Sequence, residues 1–372
     1  MKNFSLKLIP GDGIGIEVMH EGLRVLRAIE DIHGGITFSC QELDWSCRYY
    51  LDHGSMMPHD GLEILSQCDA ILLGAVGSPG VPDHVSIKGL LLPIRQGFDQ
   101  YINLRPIRLL AGLDSPLKVT SSDDIDFVVI RENSEGEYCG KGAVLNAGTH
   151  DETAVQEGWF TRKGVSRVIR YAFEFALRNG RSSLVSATKS NALNYSMVFW
   201  DRIFDEIRAG YPGIESRSMH VDALAGLMIM KPKAFDVIVA SNLFGDILTD
   251  LGSAMLGSIG ISPSANINPE KRFPSMFEPI HGSAPDIAGR GMANPVGMMW
   301  SMVLMLEHLG QNDAAALLMG ALEQVLAAGR VRTPDMGGRS TTAEVADEVC
   351  GALRSWERRP FTFQAHGPMT EK

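Results

Sequence analysis

Short apolar runs alternate with longer helix-periodic segments along the whole chain. This alternation narrows the fold to the α/β class, with strands in one sheet and helices packed over it. Residues 6–9 read as a strand, followed by a glycine-rich turn and a helix that places Val18, Val25, Leu26 and Ile29 on one face. Residues 70–74, 126–130, 183–187 and 235–240 read as further buried strands, and 218–221 as a weaker one. Polar residues stand immediately after several of them: Arg131, Lys189, Ser241 with Asn242, and Asp222. Ligands of open α/β sheets bind beyond the carboxyl ends of the strands, so these residues are expected to meet at one sheet edge. The chain has 372 residues, and single cores seldom grow past roughly 250–300 residues, so two packed lobes are expected.

The net charge of −10 argues against nucleic acid as a partner, because phosphate backbones need a basic footprint. It does not exclude an anionic small molecule held by a local arginine cluster. The first residues lack the apolar stretch of roughly 7–15 residues that a secretory signal carries. The longest apolar tract, residues 296–306, is about half the length a bilayer requires and reads as a buried helix rather than a membrane span. Five cysteines (Cys40, Cys47, Cys68, Cys139, Cys350) are scattered without a CxxC pair, as expected of reduced thiols in a cytoplasmic protein.

Several motifs carry chemistry. Gly11-Asp12-Gly13-Ile14-Gly15 follows a strand and opens a helix, but Ile16 stands where a dinucleotide fingerprint needs its third glycine, so the turn reads as a tight strand-to-helix connection. Asp246 and Asp250 are four apart in a helical stretch and share a face. Asp222 could complete an oxygen-ligand set with them, which would suit Mg²⁺ or Mn²⁺ rather than zinc; on spacing alone, helix capping by first-turn carboxylates or a solvated acidic face explains them as well. Arg95, Arg105 and Arg131 each adjoin apolar sequence. They either hold substrate carboxylates in bidentate fashion or form structural ion pairs. Lys189 and Tyr138 can act as general acid or base if burial and charge adjust them, and otherwise read as a surface lysine and a packed tyrosine. The stretch from Glu278 to Gly289, closed by Asn294-Pro295, is a long irregular loop of the kind that is often functional.

Together these segments resemble the β-decarboxylating dehydrogenases, the family of isopropylmalate, isocitrate, homoisocitrate and tartrate/D-malate dehydrogenases. The resemblance runs from Leu8 to about Gly338. It rests on Ile9-Pro10-Gly11-Asp12-Gly13-Ile14-Gly15, Asn103-Leu104-Arg105-Pro106, the Arg131-to-Tyr138 segment, Asn242-Leu243-Phe244-Gly245-Asp246 and Glu278-Pro279-Ile280-His281-Gly282-Ser283-Ala284-Pro285-Asp286. It implies an isopropylmalate dehydrogenase-like fold, two α/β lobes sharing a mixed sheet with an active-site cleft between them. Residues 1–100 with 257–372 would form an NAD-binding lobe, and 101–256 a metal, substrate and dimerisation lobe with an arm near 139–161. It further implies a homodimer with shared sites: Asp246 and Asp250 bind Mn²⁺ or Mg²⁺ with Asp222 of the other subunit, and Lys189, also from that subunit, assists removal of the hydroxyl proton. Tyr138 would protonate the enolate after CO₂ leaves, and Arg95, Arg105 and Arg131 would hold the carboxylates of a malate-like dicarboxylate. NAD would lie on Glu278, His281, Gly282, Ser283, Ala284, Asp286 and Asn294. Asp286 meets the adenosine ribose there and disfavours a 2′-phosphate. K⁺ is a candidate further cofactor.

Substrate choice is expected just before Arg95. Isocitrate enzymes carry a serine and an asparagine where this chain has Gly89 and Leu91, so a third carboxylate has no evident partner. Isopropylmalate enzymes pair leucines with a glutamate; Leu91 and Leu92 are present, but Lys88 replaces the glutamate. Segments around Trp45, Val81, Phe98 and Ala187 resemble the tartrate/D-malate branch, which usually carries a tryptophan near the Lys88 position. The reading is oxidation and decarboxylation of D-malate to pyruvate with tartrate as a second substrate, isopropylmalate being the alternative. A silent regulatory homologue would be expected to lose a metal ligand, Lys189 or Tyr138, and all are present. A metal-dependent hydrolase, conceivable from the carboxylates alone, would produce no NADH.

Overall fold

The computed structural model describes residues 2–119 and 121–356; the end of the expected NAD-binding lobe, 357–372, lies outside the described residues. The strands are β1 (Lys2–Gly11), β2 (Ile36–Glu42), β3 (Ala70–Ala75), β4 (Ile102–Arg108), β5 (Asp126–Glu132), β6 (Gly142–Leu145), β7 (Thr153–Gln156), β8 (Ser183–Thr188), β9 (Glu215–His220), β10 (Val237–Ala240), β11 (Pro263–Ile267) and β12 (Ser275–Pro279). Ten of them form one mixed sheet in the order β2-β1-β3-β12-β11-β4-β5-β10-β8-β9. Two parallel sets, β2-β1-β3-β12 and β5-β10-β8-β9, run in opposite directions and are joined through antiparallel β11 and β4.

The interior strands are apolar without alternation because helices cover both faces: all six residues of β3 are buried. The Ile14–His33 helix packs with Val296–His308 and Thr342–Trp356 on the first half of the sheet. The 296–306 tract is buried at every position, as a core helix. Among the described residues no helix is long and apolar enough to cross a membrane. A second core under 83–97 gathers Met56, Leu65, Leu90, Ile94 and Phe98. On the other half, Arg162–Arg178 and Ser196–Arg208 pack together, and Asn242–Met255 lies over β4, β5 and β10. β6 and β7 form a separate hairpin whose residues are all exposed.

Two local expectations shift. The weak strand is Glu215–His220, and Val221 already opens the Val221–Met230 helix, so Asp222 stands in a helix first turn. This edge strand has one neighbour and a polar sequence, which blurred its end. The Asn242–Met255 helix has no acidic residue in its first turn. Asp246 follows in the second turn and Asp250 in the third, too far in for helix capping to explain the pair.

Candidate active site

The carboxyl ends of β5, β10, β8 and β9 fall on neighbouring rungs: Arg131 pairs with Ala240, Val239 with Ser186, and Thr188 with His220. Arg131, Ser241, Lys189 and Asp222 therefore leave one edge. Arg105 and Glu278 instead come from β4 and β12, and Arg95 from the Leu92–Gly97 helix. The site thus straddles the antiparallel junction of the sheet rather than a single carboxyl edge.

A cavity of about 590 Å³ opens there, lined by Lys88, Leu91, Arg95, Arg105, Arg131, Tyr138 and Asp246 together with His84, Glu137 and Leu243. The three guanidiniums are buried, Arg131 being 2% exposed. Arg95 pairs with Glu278 at 2.9 Å, Arg105 lies 3.4 Å from Asp246, and Arg131 bonds Asp246 directly. Arg131 Nε and Nη2 both donate to Asn242 Oδ1, at 3.0 and 2.6 Å, and Arg105 also donates to Thr249 Oγ1. Burial lowers the pKa of Arg105 and of Arg131, and the Asp246 charge opposes the shift in both. Glycine at 245 lets the helix lie on this side chain: a Cβ there would meet Arg131 Cβ at 2.6 Å. The Nε atoms of Arg95 and Arg105 are buried without a partner, which leaves this cationic floor short of acceptors.

Asp246 is the hub. Burial raises its carboxyl, but Arg131, Arg105 and the Tyr138 hydroxyl outweigh burial and hold it below the ordinary range. Tyr138 donates to Asp246 Oδ2 at 2.9 Å; burial and that negative charge push the phenol up to about 12. Asp250, one turn on, is pushed up by burial and by Asp246 despite Arg105. Two carboxylates on successive turns, one of them short of compensating charge, suit a hard divalent cation. The third expected ligand is elsewhere: Asp222 bonds Lys189 at 2.8 Å with its side chain 66% exposed, and Lys189 holds its carboxyl below the usual range. Neither residue lines the cavity. Among the described residues of one chain no group of three metal-ligating side chains assembles.

The run of helical turns over residues 83–97 includes a π-helical stretch, Ile87–Leu91, in which the Leu92 N–H bonds the Ile87 carbonyl. Lys88 and Leu91 face the cavity, whereas a Cβ at Gly89 would meet Met56 Cγ at 2.7 Å, on the core side.

Glu278, expected to serve the cofactor, accepts from Arg95 and from Asn266 Nδ2 at 2.7 Å. The loop beyond it holds the other cofactor candidates. His281 Nδ1 lies 2.9 Å from the Gly282 carbonyl, its Nε2 is buried without a partner, and burial lowers its pKa. An unpartnered ring nitrogen of this kind suits a polar ligand. Ser283 is buried, Ala284 has φ of 40°, and Gly282 and Asp286 are exposed. Asn294 donates to Asp335 at 2.9 Å and accepts the Val296 N–H at 3.0 Å, so its side chain is engaged within the protein.

Sequence reasoning did not single out Glu137, Thr249, His84 or Asp335. Glu137 accepts from Ser241 Oγ and the Leu243 N–H, fixing the start of the Asn242–Met255 helix. Thr249, three residues after Asp246, carried a helical-face signal that could have flagged it; His84, four before Lys88, carried the same one.

A family profile described as isocitrate/isopropylmalate dehydrogenase matches residues 5–349. The chain is 54% identical over 355 residues to a Bacillus subtilis (strain 168) protein named probable tartrate dehydrogenase/decarboxylase, covering 95% of this chain and 99% of that one. It is 51% identical to D-malate dehydrogenase (decarboxylating) of Escherichia coli (strain K12), covering 94% and 98%. Among solved structures, isocitrate dehydrogenase from Methylococcus capsulatus matches with a TM-score of 0.85 at 33% identity, over 94% of this chain and 99% of that one. With this ten-stranded mixed sheet and its arginine-lined cavity, the chain belongs to the isocitrate/isopropylmalate dehydrogenase family and is an oxidoreductase.

Proposed function

We propose that the protein oxidises a malate-type 2-hydroxy dicarboxylate at C2 with NAD as hydride acceptor and releases the distal carboxylate as CO₂, with D-malate to pyruvate as the main reaction and tartrate as a second substrate. The observation that carries this reading is the charge of the cavity. Lys88, Arg95, Arg105 and Arg131 face Glu137 and Asp246 among the lining carboxylates. With Glu278 on Arg95 the cations still outnumber the carboxylates four to three, and Arg95 Nε and Arg105 Nε have no partner, so a dianion has a place to bind. The tartrate and D-malate names of relatives at 54% and 51% identity support the same substrate class.

The residues of this chain divide the work. The guanidiniums would orient the two carboxylates in bidentate fashion, and orientation alone removes much of a reaction barrier. Asp246 and Asp250 would hold Mn²⁺ or Mg²⁺, which when bound makes a hydroxyl more acidic and its carbonyl product a better electron sink. Tyr138 keeps its proton at working pH and stands at Asp246, where it can protonate the enol carbon. The 281–294 loop would hold NAD. Asp286, exposed on that loop, repels a 2′-phosphate and selects NAD over NADP.

We read the active unit as a homodimer in which Lys189 and Asp222 serve the neighbour's cavity. Supporting this, the pair lies outside its own cavity. The nearby surface exposes large apolar side chains, Tyr195 at 90% and Met230 at 74%, that a partner would cover. The β6-β7 hairpin exposes Val144, Leu145 and Val155, and a lone two-stranded hairpin is marginal without something to pack on. Lobes of 1–100 with 257–372 and of 101–256, with the 139–161 arm on the second, fit this division.

Leu91 and Leu92 in the cavity wall favour isopropylmalate as a second reading. NADH production with Mn²⁺, measured in parallel on D-malate, L-tartrate, meso-tartrate, 3-isopropylmalate and isocitrate, decides. The highest kcat/KM is expected on D-malate, with tartrate next. A clear preference for isopropylmalate would establish the second reading, and turnover of none of the five would refute the substrate class.

A further inference from the structure

The Gly11-to-Gly15 turn and the helix that follows it take no part in the reaction just described. Asp12 ties the turn to Cys47 and Gly77, while Gly13, Ile14 and Glu17 meet the loop proposed to hold the dinucleotide. The Ile14 N–H donates to the Ser283 carbonyl at 2.8 Å. A Cβ on Gly13 would sit 2.0 Å from that carbonyl oxygen, so the motif's middle glycine is the condition for this approach rather than a phosphate cradle. One turn later Glu17 reaches the same loop. Its two carboxylate oxygens accept separate backbone donors, the Gly289 N–H and, at 3.1 Å, the Gly291 N–H.

The loop's other hydrogen bonds lie at its ends, and between them Ala284, Ile287 and Ala288 pack partly buried against the core. Ser283 is held as described, and at the far end the Thr342 N–H donates to the Gly291 carbonyl at 2.9 Å and Thr342 Oγ1 to the Ala293 carbonyl at 2.7 Å. Between these points Pro285, Asp286, Gly289 and Arg290 are exposed. Among the described residues, no side chain from outside the loop other than Glu17 hydrogen-bonds the 285–291 stretch. Exposed irregular backbone held at few points samples many shapes, and ordering it on binding weakens the ligand.

We propose that Glu17 is a positioning residue for the dinucleotide: its carboxylate ties the Gly289 and Gly291 amides together and keeps the 281–294 loop in its binding shape before the cofactor arrives. This rests on the reading of that loop as the NAD site. The apparent dissociation constant of a ligand rises in inverse proportion to the fraction of protein in the competent shape. Losing both acceptors in Glu17→Ala should therefore raise the NADH dissociation constant and the KM for NAD by about tenfold or more. Glu17→Gln, which keeps one acceptor oxygen, should fall between the two. KM for the hydroxy acid and kcat at saturating NAD should stay within about twofold, a split that general loss of stability would not produce.

The test uses the full-length protein. NADH fluorescence titration and steady-state kinetics are run on wild type, Glu17→Gln and Glu17→Ala, with hydrogen–deuterium exchange of the peptide spanning 286–292 read by mass spectrometry. The expected result is faster exchange in that peptide with weaker NADH binding, graded from Gln to Ala. Faster exchange with unchanged NADH affinity would overturn the positioning role while leaving the loop as the NAD site. A wild-type protein that binds no NADH would overturn the dinucleotide reading itself, and the proposal with it. Unchanged exchange in both variants would show that Glu17 does not hold the loop.

Discussion

Replacing Arg131 with lysine tests whether the cavity recognises carboxylates through a guanidinium fork or merely through positive charge. A guanidinium has five N–H donors. Here Nε–H and one Nη2–H go to Asn242 and one Nη1–H goes to Asp246, so by subtraction two donors on adjacent nitrogens remain, the number a substrate carboxylate takes in a bidentate pair. An ammonium has three donors; keeping Asn242 and Asp246 leaves one. The substrate thus loses one charge-assisted hydrogen bond, about 1.5–3 kcal/mol. That predicts a fall in kcat/KM for D-malate of roughly ten- to hundredfold, at about 1.4 kcal/mol per decade. Charge is conserved, so Asp246 keeps a cationic neighbour and the variant should fold with only a modest drop in Tm. The assay is NADH formation at saturating NAD and Mn²⁺, with a circular-dichroism melt as the folding control. A folded Arg131→Lys protein within about twofold of wild type in kcat/KM would refute the fork argument.

Three further outcomes follow from the structure. Lys88→Glu reverses the charge at the cavity wall beside Leu91 and should shift the kcat/KM ratio from D-malate and tartrate toward 3-isopropylmalate; an unchanged ratio would remove Lys88 from specificity. If Lys189 serves the neighbour's cavity, mixing refolded Tyr138→Phe and Lys189→Met chains should restore about a quarter of wild-type activity, since half the dimers are mixed and each has one intact site; no recovery would refute shared sites. Burial, aided by Lys271, pushes the His308 imidazole down from 6.5 to about 4, so it is held neutral in the fold while the unfolded chain protonates it near 6.5. Stability linked to it is complete above that pH and lost as the pH falls toward 4. Allowing for the ring's partial exposure, this is worth about 2 kcal/mol. His308→Gln should flatten the decline in urea midpoint between neutral pH and pH 4, and parallel declines would refute it.

Much of the fold was legible because buried parallel strands write themselves as continuous apolar runs: β3, β5, β8 and β10 all stand within a few residues of where periodicity puts them. The antiparallel junction was not legible. β11 and β12 have no strong run of their own; β11 contains Ser264 and Asn266, both fully buried, the latter bonded to Asn103 and Asn133. A strand that buries amides for a polar network looks like a loop in one dimension. The arginines were visible for a related reason, since a guanidinium beside apolar residues must find an acceptor. Their acceptors come from residues more than a hundred positions away, which spacing cannot reveal. Glu17 shows the limit most plainly: in sequence it is one acidic residue in a helix first turn, which dipole arguments already explain, and its bonds to Gly289 and Gly291 exist only in three dimensions.

Asp246 explains why the carboxylates and the arginines form one site rather than two features that happen to adjoin. The same carboxylate pairs with Arg105 and Arg131, takes the Tyr138 proton donor and repels Asp250. A dicarboxylate entering the cavity brings two more negative charges to guanidiniums that Asp246 already occupies. Substrate carboxylates on the remaining donors would then stand beside the Asp246 charge, at a burial where an uncompensated charge costs several kcal/mol. A divalent cation held by Asp246 and Asp250, as proposed, would reverse that balance, because its charge would offset both carboxylates beside the substrate. On the proposed reading, linked binding of cation and substrate would follow from charge alone, and Asp222 of a neighbouring chain would supply the third carboxylate that the described residues of one chain do not bring together.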